Sequence, residues 1–225
     1  MNHALPRLLQ LASPALPVGA YTYSQGLEWA IEAGTVRDEL TALAWVGDQL
    51  EWNVGRYEAP SLGRLVAAWS ERDIDAVHRI DADYLASRET AELRAETLQM
   101  GHSMRRLLAE LHDFPAAYAA ELAAIATPTF PCVWSAAAAA WDVVPRDALA
   151  AWLWSWAENQ VMAALKAVPL GQAAGQRILF AVGARIPALT ERALRLGDDE
   201  TSNFAPGFAI ACALHETQYS RLFRS

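Results

Sequence analysis

Apolar positions recur every three or four residues along most of the chain, which is the spacing of one face of an α-helix. Thr35, with Asp38 three residues later, predicts the start of the clearest helix. Trp45 and Trp52 lie off the main row of apolar residues on this helix, the stripe listed next. The helix is therefore apolar on two faces and is either central or in contact with a partner. The stripe itself runs through Val36, Leu40, Leu43, Gly47, Leu50 and Val54.

A second long helix is predicted over 87–111, and Gly101 within its stripe would let a neighbouring helix approach closely. No alternating run bounded by hairpin turns predicts a strand. The sequence therefore predicts an all-α fold, a compact single-domain bundle of about ten helices spanning residues 1–225. The stripe of the second helix is Ala91, Ala95, Leu98, Gly101, Met104, Leu108 and Leu111. The other predicted helices are a short one in the N-terminal segment, then 24–33, 60–70, 73–85, 116–125, 132–142, 145–167, 172–185, 187–196 and 207–218.

Composition narrows the possible functions. Hydrophobic residues make up 53% of the chain, with nine tryptophans, which excludes disorder and hints at surfaces that bind other proteins. A net charge of -8 argues against nucleic-acid or anionic-membrane partners. Arg7, Gln10, Pro14 and Pro17 interrupt the apolar N-terminal stretch, unlike a signal peptide, and no run reaches the ~20 residues of a membrane helix. We expect a cytoplasmic protein.

Sequence patterns of catalysis and of nucleotide or metal binding are absent or weak. The chain has no GxxxxGK[ST], no strand followed by GxGxxG, no GxSxG and no HExxH pattern. Cys212 and His215 could supply two ligands of a metal site, although a buried thiol beside a half-exposed histidine is the commoner arrangement. Cys132 and Cys212 are expected to be buried free thiols. We predict a protein that is not an enzyme and holds no cofactor.

Three segments differ from ordinary helical sequence. The first, LLQLASPALPVGAYTYSQGLE over residues 8–28, contains prolines that stiffen a loop, which either displays Tyr21 and Tyr23 for recognition or tucks them under the fold. The third, ETQYSRLFRS over residues 216–225, has the aromatic and arginine content of an interface and either orders on a partner or docks onto its own bundle.

The second segment, LKAVPLGQAAGQR over residues 165–177, contains the chain's only lysine, Lys166, whereas the other 17 of its 18 Lys and Arg residues are arginine. Most sites that need a cation accept either lysine or arginine, and few require the compact charge and flexible side chain of lysine. The single lysine therefore suggests a particular contact, although chance is as good an explanation. Gln172, Gln176 and Arg177 would add a polar patch on one helical face.

In this order, within an all-helical chain of this length, the three segments resemble the urease accessory protein F family, and the resemblance covers essentially the whole chain. It implies a non-catalytic all-α homodimer. Members join accessory protein D, called H in some organisms, and the accessory GTPase G into a complex that delivers nickel to apo-urease and helps carbamylate its active-site lysine. The resemblance also implies that such a protein modulates the GTPase cycle.

Carried onto this chain, the resemblance implies three sets of partner-binding residues. Two other functions stay open, a direct nickel-binding metallochaperone and a helical-bundle enzyme. The implied sets are Lys166, Gln172, Gln176 and Arg177 facing the GTPase, Tyr23, Ser24 and Glu28 in the N-terminal motif, and Tyr219, Arg221, Leu222 and Phe223 in a tail that meets accessory protein D.

Overall fold

Helices follow one another along residues 4–225, the part of the chain described by this computed structural model. The described residues contain no strand, so the predicted all-α fold is confirmed. None of their helices is both long and apolar enough to cross a membrane. In chain order the helices are α1 (Ala4–Leu11), α2 (Leu27–Glu32), α3 (Glu39–Gln49), α4 (Ala59–Glu71), α5 (Ile74–Ala86), α6 (Ala91–Glu110), α7 (Ala116–Ala124), α8 (Phe130–Ala140), α9 (Pro145–Ala167), α10 (Gln172–Gly183), α11 (Ile186–Ala193) and α12 (Pro206–His215).

The start of α3 shows how local sequence sets a helix boundary. Asp38 is the N-cap, and its carboxylate accepts a hydrogen bond from the Thr41 backbone N–H at 2.9 Å. The Thr41 hydroxyl in turn accepts from the Asp38 backbone N–H at 3.0 Å, which completes a reciprocal capping box. The predicted start at Thr35 is therefore wrong, because the pair that satisfies the free N–H groups is Asp38 with Thr41.

A π-helical segment, Leu50–Glu58, joins α3 to α4 without a break, where the sequence predicted two separate helices. Pro60 lies in this continuous rod and has no N–H to offer the carbonyl four residues earlier. That carbonyl belongs to Arg56, and it accepts a hydrogen bond from the backbone N–H of Ser202 at 3.2 Å instead. The helix can therefore continue past Pro60, because Ser202 from a distant loop supplies the hydrogen bond that the proline cannot.

Helix α8 lies at the centre of the bundle, where residues 131–139 are all buried and pack mainly against α4 and α6. Its run of alanines allows these helices to approach closely. Gly101 on α6 serves the same purpose, because a Cβ there would clash with the Pro128 carbonyl oxygen and lie 2.8 Å from the carbonyl carbon of Thr129. The predicted close approach at Gly101 is confirmed, and its neighbour is the backbone entering α8.

The inward face of α6 differs from the predicted stripe. Ala91 and Ala95 are exposed, whereas Glu96 and Thr97 are buried beside Met100. Burial of these polar groups is tolerated because each has a hydrogen-bond partner. The Thr97 hydroxyl accepts from the backbone N–H at the start of α8, and Glu96 binds two side chains of the site described next.

Candidate functional site

The C-terminal tail, residues 216–225, lies against the N-terminal segment rather than free in solvent. The backbone N–H groups of Ser24 and Gln25 donate to the main-chain oxygen of Ser225 at 2.7 and 2.9 Å. The Arg224 N–H donates to the Thr22 carbonyl at 2.8 Å. Of the two arrangements open for the tail, the structure shows docking onto its own bundle.

Glu28, in the first turn of α2, holds the tail through its carboxylate. One oxygen accepts from the backbone N–H of Leu222 at 2.6 Å, and the other accepts from the N–H of Phe223 at 2.9 Å. Hydrogen bonds to an ionised acceptor are the stronger kind in proteins. Glu28 as a whole is only 7% exposed, so little water competes for these bonds.

His215, at the end of α12, lies between two carboxylates. Its Nε2 is 3.2 Å from Glu28, and its Nδ1 is 2.7 Å from Glu92 on α6. Glu92 also accepts from Arg221 of the tail at 2.6 Å. The expectation of a half-exposed histidine is wrong, because these contacts bury the ring completely.

The cysteines are both free and buried, as predicted. Burial raises the pKa of the Cys212 thiol well above its ordinary value, and the same cause raises the pKa of Cys132. A group of three or more His, Cys, Asp or Glu residues placed to hold a metal ion is not found within residues 4–225.

Glu96 anchors the end of the tail from α6. Its carboxylate accepts from the Ser225 hydroxyl at 2.8 Å and from the Gln25 side-chain amide at 2.7 Å. Burial raises the pKa of Glu96 to about 7. The Gln25 carbonyl accepts from the Trp156 indole at 2.7 Å, which connects this cluster to α9.

Lys166, near the end of α9, joins all three unusual segments. Its ammonium lies 5.6 Å from the ring centroid of Tyr21 in the first segment, and 5.6 Å from that of Phe223 in the tail. Both distances are within the range of a cation–π contact. Lys166 also contacts the Tyr21 carbonyl at 3.5 Å, so the lysine is held where three distant parts of the chain meet.

The exposed start of α10 adjoins this lysine. A Cβ at Gly175 would lie 2.7 Å from Leu165, which shows how tightly α10 packs beside the residue preceding Lys166. Gln172 and Gln176 are exposed. Arg177 is exposed as well, and it donates two hydrogen bonds to Glu39 of α3 at 2.7 and 2.5 Å, which raise the pKa of Arg177 and lower that of Glu39.

The structure divides the predicted partner-binding residues into two groups. Of the two tyrosines in the first segment, Tyr21 is 64% exposed and Tyr23 only 3%. Direct contact of any of these residues with a partner stays a prediction. The exposed group is Lys166, Gln172, Gln176, Arg177, Tyr219, Arg221 and Leu222, and the buried group, which holds the tail, is Tyr23, Ser24, Glu28 and Phe223.

Sequence reasoning did not assign four residues to this site: Gln25, Glu92, Glu96 and His215, the last of which it considered only as a metal ligand. Glu92 and Glu96 are four apart, so they lie on one helical face, and that spacing was a usable signal. Two arginines in the tail were the complementary signal, since one of them, Arg221, pairs with Glu92.

Comparison with known proteins supplies the family. A family model described as UreF matches residues 36–183. The chain is 62% identical to a protein of Azoarcus sp. (strain BH72), over 98% of this chain and 95% of that one. It is 61% identical to one of Dechloromonas aromatica (strain RCB), over 98% and 97%, and 45% identical to one of Nitrosococcus oceani, over the whole of both. Each relative is named urease accessory protein UreF. The chain therefore belongs to the UreF family, as its three segments suggested.

Proposed function

We propose that this protein takes part in urease maturation as a cytoplasmic scaffold without catalytic activity of its own. It acts as a single-domain unit in a homodimer, and it joins accessory protein D, or H, to the accessory GTPase G. The assembly delivers nickel to apo-urease, and the scaffold modulates the GTPase cycle. Support comes from the family and from the names of the relatives.

The meeting of three distant segments at Lys166 is the observation that carries this proposal. A cation held over two aromatic rings, beside the exposed polar residues at the start of α10, has the composition of a protein–protein contact. In the proposal, Lys166 together with Gln172, Gln176 and Arg177 faces the GTPase.

The outer side of the tail suits a second partner. Tyr219 is fully exposed and Leu222 is 74% exposed, although both belong to a segment whose backbone is tied down. Apolar side chains on an ordered backbone lose little conformational entropy when a partner covers them. In the proposal this side meets accessory protein D, while Tyr23, Ser24, Glu28 and Phe223 act indirectly by holding the tail in place.

Replacing Lys166 with alanine tests the GTPase-facing part. Its side chain is exposed, and the substitution removes two cation–π contacts of about 0.5–1 kcal/mol each, so it should cost at most about 2 kcal/mol of stability. We expect weaker capture of the purified accessory GTPase and lower urease activation in cells. Arg106→Ala is the matched control, because Arg106 is also an exposed cation and lies in the groove between α6 and α7. Normal GTPase capture and urease activation by the Lys166 variant would count against the site.

A further inference from the structure

Helix α9 shows only a narrow strip to solvent over residues 152–166. The exposed residues of this stretch are Trp154, Met162 and Lys166, and the half-buried Glu158 completes the same four-residue spacing. Residues four apart form one of the ridges by which helices pack against each other. At a rise of about 1.5 Å per residue, this row is about 18 Å long. These four residues are called the α9 ridge below.

Large apolar side chains make up half of the α9 ridge, and a third lies beside it. Trp154 and Met162 are 37% and 45% exposed, and Phe180 of α10 is 84% exposed. A Cβ at Gly183 would lie 3.2 Å from the Trp154 ring, and Phe180 is on the same face of α10 as Gly183, three residues earlier. Aromatic residues and methionine are enriched at protein interfaces. This surface therefore has the composition of a docking site.

Glu158 gives the ridge an unmet charge. Its carboxylate makes no hydrogen bond or ion pair with any residue of 4–225. Burial raises the pKa of the Glu158 carboxyl, and no neighbouring cation offsets this effect. A partly desolvated carboxylate without a partner destabilises the isolated chain. Ionisable groups in such surroundings are candidates for a function, and the group that Glu158 lacks is a cation.

Lys166 connects the α9 ridge to the surface where the three unusual segments meet. Met162 is one helical turn before Lys166, and Glu158 is one turn before Met162. A protein that covers Lys166 therefore reaches the rest of the ridge without a gap. The two ends also carry opposite charges, so a partner with complementary charges fits the ridge in one orientation.

We propose that the accessory GTPase docks along the α9 ridge and places a basic side chain against Glu158. Apolar side chains of the GTPase pack on Met162, Trp154 and Phe180. This inference rests on the proposed function, because it takes the partner from there and extends its site beyond Lys166. The ion pair at Glu158 fixes the orientation of the partner, and the apolar contacts add affinity.

Glu158→Gln tests the inference, because glutamine keeps the size of the side chain and removes its charge. We expect the Kd for the purified accessory GTPase to rise about tenfold, as the loss of a charge-assisted hydrogen bond predicts. The difference should shrink in high salt, which screens the charge pair of the unmodified complex. Met162→Ala should weaken binding severalfold.

Two controls separate this effect from a change in the fold. Because Glu158 has no partner in the isolated chain, its glutamine variant should unfold at the same temperature as the unmodified chain or at a higher one. Glu110→Gln removes an exposed carboxylate at the end of α6, far along the chain from the ridge, and should leave the Kd unchanged.

The outcomes distinguish this inference from the proposed function. An unchanged Kd in the Glu158 variant, in a chain whose Lys166→Ala variant binds weakly, would overturn the ridge alone. Failure of the unmodified chain to bind the GTPase would overturn both. If Glu158→Gln instead alters self-association in sedimentation, or binding of purified accessory protein D, while GTPase binding is normal, the ridge belongs to that other partner and the inference is wrong.

Discussion

Replacing Glu28 with alanine should release the tail while the helical bundle stays folded. The substitution removes the acceptor of two backbone hydrogen bonds, from Leu222 at 2.6 Å and Phe223 at 2.9 Å, together with one neighbour of His215. Each hydrogen bond to a charged group contributes about 1.5–3 kcal/mol. Since neighbouring bonds do not add fully, we expect the free energy of opening the tail to fall by about 3 kcal/mol.

Amide hydrogen exchange of Leu222 and Phe223, followed by NMR, measures this opening directly. Because each 1.4 kcal/mol corresponds to a factor of ten, exchange at these amides should accelerate on the order of 100-fold. Amides in α8 and α9, at the centre of the bundle, should keep their protection, since opening of the tail is local. Glu89→Ala is the control, because Glu89 is an exposed carboxylate just before α6.

The reasoning fails if the Glu28 variant keeps the protection of both tail amides. It also fails if exchange rises equally throughout the chain, since Glu28 would then support the whole fold rather than the tail.

Two further changes test the interior. The pKa of Glu96 is about 7 in the folded protein against 4.5 ordinarily, so the fold favours the protonated form of this side chain. The stability that Glu96 contributes is therefore full below pH 4.5. It has declined by about 3 kcal/mol once the pH has risen past 7. Glu96→Gln should remove most of that decline, as urea unfolding at pH 5 and pH 8 would show, and an unchanged pH dependence would contradict it. Gly101→Ala should destabilise the protein by about 1–3 kcal/mol despite the better helix propensity of alanine, because the new Cβ meets the backbone at Pro128. Gly207→Ala, where a Cβ meets nothing within 4 Å, should be neutral or stabilising in the same thermal unfolding experiment, and equal losses at the two glycines would refute the packing argument.

Local sequence was enough to predict most helices. Pro145 at the first turn of α9 and the break around Gly171 set boundaries that the structure reproduces within a few residues. The continuous helix through the π segment was beyond such reasoning, because Pro60, just after that segment, is accommodated by Ser202, which lies far along the chain. Periodicity identifies a helical face, but it does not reveal which distant group supplies a missing donor.

The candidate site was predictable only in outline. The three segments stood out by composition, and the unique Lys166 marked the point where they meet. The burial of Glu28 was not predictable, because it depends on the N–H of Phe223, 195 residues away. A charged residue in a polar segment is expected at the surface, and only the folded arrangement shows that its partner is the protein's own tail.

Hydrogen exchange of the whole chain, with and without the purified accessory GTPase, tests the central claim most directly. That claim is that the surface around Lys166, built by three distant segments, is where this protein meets its GTPase partner. We predict that the partner slows exchange at the end of α9, the start of α10 and the residues around Tyr21, while the groove between α6 and α7 is unaffected. Protection confined to that groove, or no protection anywhere despite stable binding, would contradict the account.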